Sequence, residues 1–431
     1  MLKAGKFYFT NLSNGLRVLL LPSKEVLSFK VLVLINTGAD FEIKEQNGIS
    51  HLLEHMYFKG TPKRPSTFKI ATEIDSVGGY YNAYTDREIT GLFIQLGADY
   101  TDLALDVSSD ILLHPLLPEK ELEKEKGVII EEINMLADDP RVTAYELWEK
   151  LLYGNQPAGW PIGGSKETVA RLSRDDLQQY WQSQFRSQSV LVALSGKLPS
   201  SETKALALVK KYFHNIPLGQ GKPKLKTREK QIKPNLLIQK KSTEQTHLWL
   251  GFRAFNTFDP RQYALEVLNA VLDAGMSSRL FQLLREKLGL AYYVNSWFSL
   301  KTDTGWWAVS AGVNNGRVLE AISHILKEFR SFKISRLDEA EVKKAKNCLI
   351  GRLSLSSENV HAVAADYASQ ALLKNQIISL EEHLKKIKDV RFSEVKKLAK
   401  ELIKPQFLNL ALLGPIKEDQ KIKKLLGSFI N

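Results

Sequence analysis

The chain has 431 residues, 44% of them hydrophobic, which is more apolar material than one core usually accommodates, so at least two domains are expected. Sixty Lys and Arg against 48 Asp and Glu leave a net charge of +12, which suits acidic partners, nucleic acid or an anionic membrane without selecting any of them. The single cysteine, Cys348, excludes an intrachain disulfide and a cysteine-rich metal site; it reads as a buried small apolar residue, and its solitude fits a reducing compartment.

The first residues lack an apolar stretch of signal-peptide length, and Val18 to Leu21 is far too short to span a bilayer, so a soluble cytoplasmic protein without membrane contact is expected. A β-rich run, Phe29 to Asn36, leads to a helix near Ile49 to Lys59, and a second helix precedes a hairpin of strands Tyr80–Thr85 and Ile89–Leu96. A long amphipathic helix at about Asp99 to Leu113 and a charged helix follow. Pro217 to Pro234, rich in Gly, Pro and Lys, reads as an exposed linker whose charge is solvated. Beyond it the order returns: strand Thr246–Ala254, helix Arg261–Asp273, another helix, Tyr292–Asn295, strand Gly305–Val313, a long helix at Arg317 to Phe332 and a charged one. Leu117-Pro-Glu-Lys-Glu-Leu-Glu-Lys-Glu125 aligns with Leu337-Asp-Glu-Ala-Glu-Val-Lys-Lys-Ala345, so that Glu125 faces Ala345 and Glu132 faces Arg352. The expected fold is therefore α+β: two structurally similar, duplicated α/β-layer domains, residues 1–216 and 235–431, with mostly antiparallel sheets packed with helices and joined by linker 217–234.

The chemistry concentrates in Asn47-Gly-Ile-Ser-His-Leu-Leu-Glu-His-Met-Tyr-Phe-Lys-Gly60, with Asn47 or Ser50 as N-cap and Gly60 as stop. Ile49, Leu52, Leu53 and Met56 make one apolar stripe; His51, Glu54 and His55 make another. Helical geometry displaces the two histidines by only about 40° around the axis and about 6 Å along it, so both imidazoles can converge on one ion. Glu54, about 60° from His51, is placed to act as a base on a water at that ion. Two neutral imidazoles suit zinc, one per chain, and a third protein ligand is wanted. In Glu125-Lys-Gly-Val-Ile-Ile-Glu-Glu132 one helical stripe joins Glu125 to Glu132. Glu132 is taken as the ligand and Glu125 as the carboxylate that orients a histidine or Glu132 itself, while Glu131 points about 100° away. The other histidines, at 114, 214, 247, 324, 361 and 383, form no second spacing suited to a metal.

His51-Leu-Leu-Glu-His55 followed by Glu132 resembles the inverted zinc motif of the pitrilysin and insulysin metallopeptidases (inverzincins). Gly275-Met-Ser-Ser-Arg-Leu-Phe281 and Leu284-Arg-Glu-Lys-Leu-Gly-Leu-Ala-Tyr292 resemble the C-terminal half of the short, two-domain branch that includes the mitochondrial processing peptidases and their bacterial relatives. The resemblance implies a zinc-dependent endopeptidase acting on unfolded or short peptides, with Glu54 as general base. It also implies a metal-free second domain that completes the active-site chamber with Arg285 and Tyr292 as catalytic donors, and substrate added as a β-strand along Tyr81-Asn-Ala-Tyr84, with Asn82 and Ala83 the binding positions. Partner chains are implied as well: a homodimer, or a hetero-pair with a related chain. The alternative is a catalytically inactive structural or regulatory subunit of the same fold, which would carry eroded ligands. A nucleic-acid-binding module is the other rival; it needs basic residues clustered with aromatics on one face, whereas the longest basic run here is interrupted by Pro and Gly, so no nucleic-acid partner is expected.

Overall fold

The computed structural model describes residues 6–199, 201–333, 337–417 and 419–429. In chain order the first half runs β1 (Tyr8–Asn11), β2 (Arg17–Pro22), β3 (Ser28–Ile35), α1 (Ile49–Met56), α2 (Thr67–Asp75), β4 (Tyr80–Thr85), β5 (Thr90–Gly97), α3 (Thr101–Leu113) and α4 (Glu119–Asp138). It continues through α5 (Pro140–Tyr153), α6 (Lys166–Arg171), α7 (Arg174–Gln184), β6 (Val190–Gly196) and α8 (Glu202–Phe213). The second half runs β7 (Asn235–Lys240), β8 (Gln245–Ala254), α9 (Gln262–Asp273), a π-helix (Phe281–Lys287), β9 (Ala291–Leu300), β10 (Gly305–Asn314), α10 (Val318–Lys333) and α11 (Glu339–Ser356). Helices α12 (Val360–Lys374), α13 (Leu380–Asp389) and α14 (Phe392–Leu402), strand β11 (Leu408–Gly414) and helix α15 (Asp419–Ser428) complete it.

The strands form two sheets of the same design. The first has the order β1-β2-β6-β3-β5-β4 and the second β7-β11-β8-β10-β9. In each, one parallel pair (β2 with β6, β7 with β11) is followed by antiparallel neighbours only. Without β1, the two sheets match strand for strand in chain order, so the expected duplicated α+β architecture is what the chain builds. Strands β4 and β9 occupy corresponding edges.

The chain forms two compact units: residues 1–134, 160–225 and 356–380 in the first, and 135–159, 226–355 and 381–431 in the second. In both halves the unit boundary falls near the end of the long charged helix, after Asn134 in α4 and after Leu355 in α11. The helix that follows packs on the sheet whose strands come from the other half: α12 lies against β6, β3 and β2, and α5 against β11, β8 and β7. An amphipathic helix is satisfied by any apolar face, so nothing local in its sequence dictates which sheet it covers.

In the first unit Leu16, Phe29, Val31 and Val33 join Ile49, Leu52, Leu53 and Met56 of α1 in one core, and a second core forms under α12 on the opposite sheet face. The segment from Pro217 to Pro234 has no regular secondary structure, as expected of a linker, but it is not uniformly solvated. Lys224 Nζ lies 2.6 Å from the carboxylate of Glu88, which is itself buried. Cys348 is half-buried rather than buried, its thiol directed at the Ala274 carbonyl.

The chain leaving α1 is fixed by one buried guanidinium. Arg64, 1% exposed, donates to Glu73, Asp106 and Asp110, and Thr61 Oγ1 donates to the same Asp110 carboxylate at 2.6 Å. Removing the cation leaves the buried Asp110 without its guanidinium, while Asp106 keeps Lys63 and Glu73 keeps Lys69, so Arg64→Ala is expected to cost about 3 kcal/mol in urea unfolding. A loss below about 1 kcal/mol would show that the cluster is wetter than this geometry indicates.

Candidate active site

Helix α1 buries Ile49, Leu52, Leu53 and Met56, each such aliphatic side chain contributing roughly 1.5–3 kcal/mol, and this leaves His51, Glu54 and His55 on the opposite, partly open face. Helix α4 answers with its own stripe: Leu122, Glu125 and Ile129 are buried and Glu132, one turn further, is 35% exposed. The two stripes meet. His51 Nε2 lies 3.7 Å and His55 Nε2 3.9 Å from the same Glu132 oxygen, with the imidazole planes at 79° to each other. These separations are too long for hydrogen bonds. They exceed by a few tenths of an ångström the roughly 3.3 Å expected between ligand atoms that hold zinc tetrahedrally at about 2.0–2.1 Å.

The protonation pattern fits the same purpose. His55 Nδ1 faces a Glu125 oxygen at 3.0 Å, which makes Nδ1 the donor and leaves Nε2 with its lone pair toward the centre. Lys59 Nζ, 2.6 Å from the other Glu125 oxygen, balances that buried carboxylate. Burial, and then the neighbouring His55, push the His51 imidazole down to about 4, so it is neutral and a competent ligand near neutral pH. Two imidazoles and one carboxylate are a donor set that suits a catalytic zinc. Among the described residues, His51, His55 and Glu132 form a group able to hold a metal ion.

Glu54 stands beside the three donors. One of its oxygens accepts from Thr85 Oγ1 at 2.7 Å, where strand β4 passes α1. Burial raises the Glu54 carboxyl above its ordinary value, and Glu132 adds to this, while the Thr85 hydroxyl and His55 oppose it.

The start of α1 departs from the local rule. Neither Asn47 nor Ser50 is the N-cap; Gly48 is, with φ of +98°, and it carries no capping side chain. Glu42 supplies the cap from outside the helix: its carboxylate accepts from Gly48 N (2.8 Å), Ser50 N (2.9 Å) and Asn47 Nδ2 (2.8 Å). A β-carbon on Gly48 would come within 2.7 Å of the Gly163 carbonyl, and one on Gly164 (φ +77°) within 2.3 Å of the Asn47 carbonyl. Ser50 Oγ and Thr37 Oγ1 both lie 2.8 Å from Tyr180 OH, which ties the same turn to α7 and to the loop after β3.

The remaining expected residues lie elsewhere. Asn82 and Ala83 are on the edge strand β4, Asn82 exposed and Ala83 buried, and the Asn82 side-chain oxygen accepts from Ala83 N–H at 2.9 Å. Arg285 and Tyr292 belong to the second unit. Arg285 lies on the π-helix with its guanidinium 5.0 Å above the Phe281 ring, and Tyr292, at the start of β9, is 68% exposed. Sequence reasoning missed Glu42, Thr85 and Lys59. Lys59, four residues beyond His55, was open to the same face analysis; Thr85 acts across a tertiary contact, and Glu42 through a turn just before the helix.

Residues 17–166 match the model of the insulinase family (peptidase family M16), and residues 171–349 that of the peptidase M16 inactive domain. A Bacillus subtilis protein named an uncharacterized zinc protease is 35% identical over 93% of this chain and 97% of its own length. The chain belongs to peptidase family M16. A Mycobacterium leprae protein, also named an uncharacterized zinc protease, is 31% identical over 98% of this chain and 95% of its own. Solved structures share the M16 fold: a Helicobacter pylori protease superposes with a TM-score of 0.87 at 24% identity, covering 95% of this chain and 99% of that one. A chain of complex III2 from Candida albicans gives 0.82 at 19%, covering 97% and 99%. The inactive-domain model covers α9, which lacks the His-x-x-Glu-His pattern and turns Ala264, Leu265, Val267 and Leu268 into the core.

Glu42 yields a stability prediction. Complete burial raises its carboxyl to about 7, against the pull of the Gly48 and Ser50 N–H groups and the Asn47 amide. The native state therefore keeps a proton that the unfolded chain loses between about pH 4.5 and 7, and this group makes stability fall as pH rises through that window. Glu42→Gln, which sets an NH2 against N–H donors, should lower stability by about 1–3 kcal/mol and flatten that slope. Urea unfolding of both proteins at pH 5 and 7.5 checks both; an unchanged slope would show that Glu42 ionises like an exposed carboxyl.

Proposed function

We propose that this chain is a zinc-dependent endopeptidase that hydrolyses internal bonds of unfolded or short peptides at His51, His55 and Glu132, with Glu54 as general base. The observation that carries the reading is the convergence of two imidazoles and one carboxylate oxygen, without hydrogen bonds among them, beside a glutamate steadied by a threonine. The zinc protease names of the Bacillus and Mycobacterium relatives agree with it. An inactive subunit has no need to keep a complete donor set.

Zinc held by these residues would supply Lewis acidity and lower the pKa of water at the site. Glu54 takes a proton from the attacking water and returns it to the leaving amine. The Thr85 hydroxyl keeps one oxygen of Glu54 in place so that the other is free for the reaction. Glu125 holds the His55 ring, and Lys59 holds Glu125. The substrate backbone is proposed to add along β4, where Asn82 must release the Ala83 N–H before a peptide carbonyl can use it. Arg285 and Tyr292 are proposed as donors to the developing oxyanion, a role that suits a guanidinium and a phenol.

Glu54→Gln is expected to retain one zinc and lose about 100- to 10,000-fold in turnover, measured by metal analysis and an internally quenched peptide. His51→Ala and Glu132→Gln should lose zinc as well. Full turnover in Glu54→Gln would overturn the assignment. Thr85→Val tests the steadying contact: zinc content and KM unchanged, kcat down about tenfold, as for loss of one hydrogen bond to a charged group. An unchanged kcat would make Thr85 a structural residue only.

A further inference from the structure

We propose that the second unit carries its own binding groove, which takes an aromatic residue at the free carboxyl end of a peptide. The face of the second sheet that α5 covers at β11, β8 and β7 opens, toward β10 and β9, into a cavity of about 510 Å³, a volume typical of ligand sites. Sheet register explains its shape. Ser310 of β10 sits between Trp249 of β8 and Asn295 of β9, and Ala308 sits beside Trp297, so small side chains alternate with large neighbours to form a valley with aromatic walls.

The walls are locked before any ligand arrives. Trp249 and Trp306 meet edge-on at 5.6 Å, Tyr145 lies 5.2 Å from Trp249, and Trp297 donates its Nε1–H to Ser310 Oγ at 3.0 Å. Trp297 is nevertheless 50% exposed, and an indole held rigid yet half in water gains apolar burial only when something covers it. The buried Trp306 Nε1–H also has no partner among the described residues.

One cation faces this cavity. Arg141 lies over the Tyr293 ring at 4.6 Å and forms no ion pair among the described residues. Asp139, close to it in sequence, caps α5 by accepting from the Arg141 backbone N–H at 2.8 Å. Tyr293 OH is held in turn by His247 Nδ1 at 3.0 Å. A flat apolar valley with one unpaired guanidinium at its side matches a ring and a carboxylate on the same residue. An internal residue of a polypeptide offers only the ring; a terminal aromatic residue offers both.

The inference takes from the peptidase reading only that the ligand is a peptide, and its test is independent of cleavage. Calorimetry on the Glu54→Gln protein would use acetyl-Ala-Ala-Ala-Phe as free acid, the same peptide as C-terminal amide, and N-acetylphenylalanine. The free acid should bind about tenfold more tightly than the amide. Arg141→Gln should erase that difference, and Trp297→Ala should weaken both peptides, with the circular dichroism of each variant unchanged. Equal affinity for acid and amide, or no saturable binding at millimolar concentration, overturns the groove. Equal or tighter binding of N-acetylphenylalanine overturns the peptide assignment in favour of a free aromatic acid. Expected binding by the Glu54→Gln protein together with a wild type that cleaves nothing would leave the groove standing and remove the peptidase.

Discussion

Helix α1 has to satisfy two opposed demands in eight residues: one face must disappear into the core, and the other must hold two imidazoles and a carboxylate at the edge of solvent. Everything at the site depends on how firmly that helix is seated. Burial of Ile49, Leu52, Leu53 and Met56 fixes its rotation. Glu42 and the close approach of Gly48 to the Gly163–Gly164 loop fix its start, and the Arg64 cluster fixes the chain that leaves it. Hydrogen bonding by Glu42 at the start also spares the helix an ordinary N-cap, which frees Ser50 to bond Tyr180 instead.

Duplication explains why the protein has two like sheets, and among the described residues the donor group stands beside the first of them alone. Strand order and pairing sense agree between the sheets, so the repeated topology is a matter of backbone design. The chemistry is not repeated. Where the first half has Glu125 and Glu132, the aligned positions of the second are Ala345 and Arg352, and α9 spends its polar opportunities on core packing instead. The second unit keeps aromatic surface on the open part of its sheet, with Trp297 and Tyr293 on the strand that corresponds to β4.

The convergence of His51, His55 and Glu132 was legible because it is written in helix geometry. The spacing of His51, Glu54 and His55, and of Glu125 and Glu132, has meaning within one or two helical turns, and both stripes stand as their periods imply. Several strands and long helices were legible from their own periods, most with ends displaced by a residue or two, but Tyr292–Asn295 reached only the first half of β9, and β1, β2, β6, β7 and β11 were not read as strands. Glu42 was not, because its role comes from a 3₁₀ turn placing it against a helix six residues later, which overrode the local preference for Asn47 or Ser50 as cap. Thr85 was invisible because a threonine ending a β-strand is ordinary until α1 crosses it. The exchange of α5 and α12 between the two halves was hidden because amphipathicity specifies an apolar partner and not its identity.

Diffraction at the zinc absorption edge from crystals soaked in zinc shows whether His51, His55 and Glu132 hold one ion. One anomalous peak per chain is expected, bonded to Nε2 of both histidines and to a Glu132 oxygen at about 2.0–2.2 Å. A peak held elsewhere, or one that leaves either histidine or Glu132 unbonded, would contradict it.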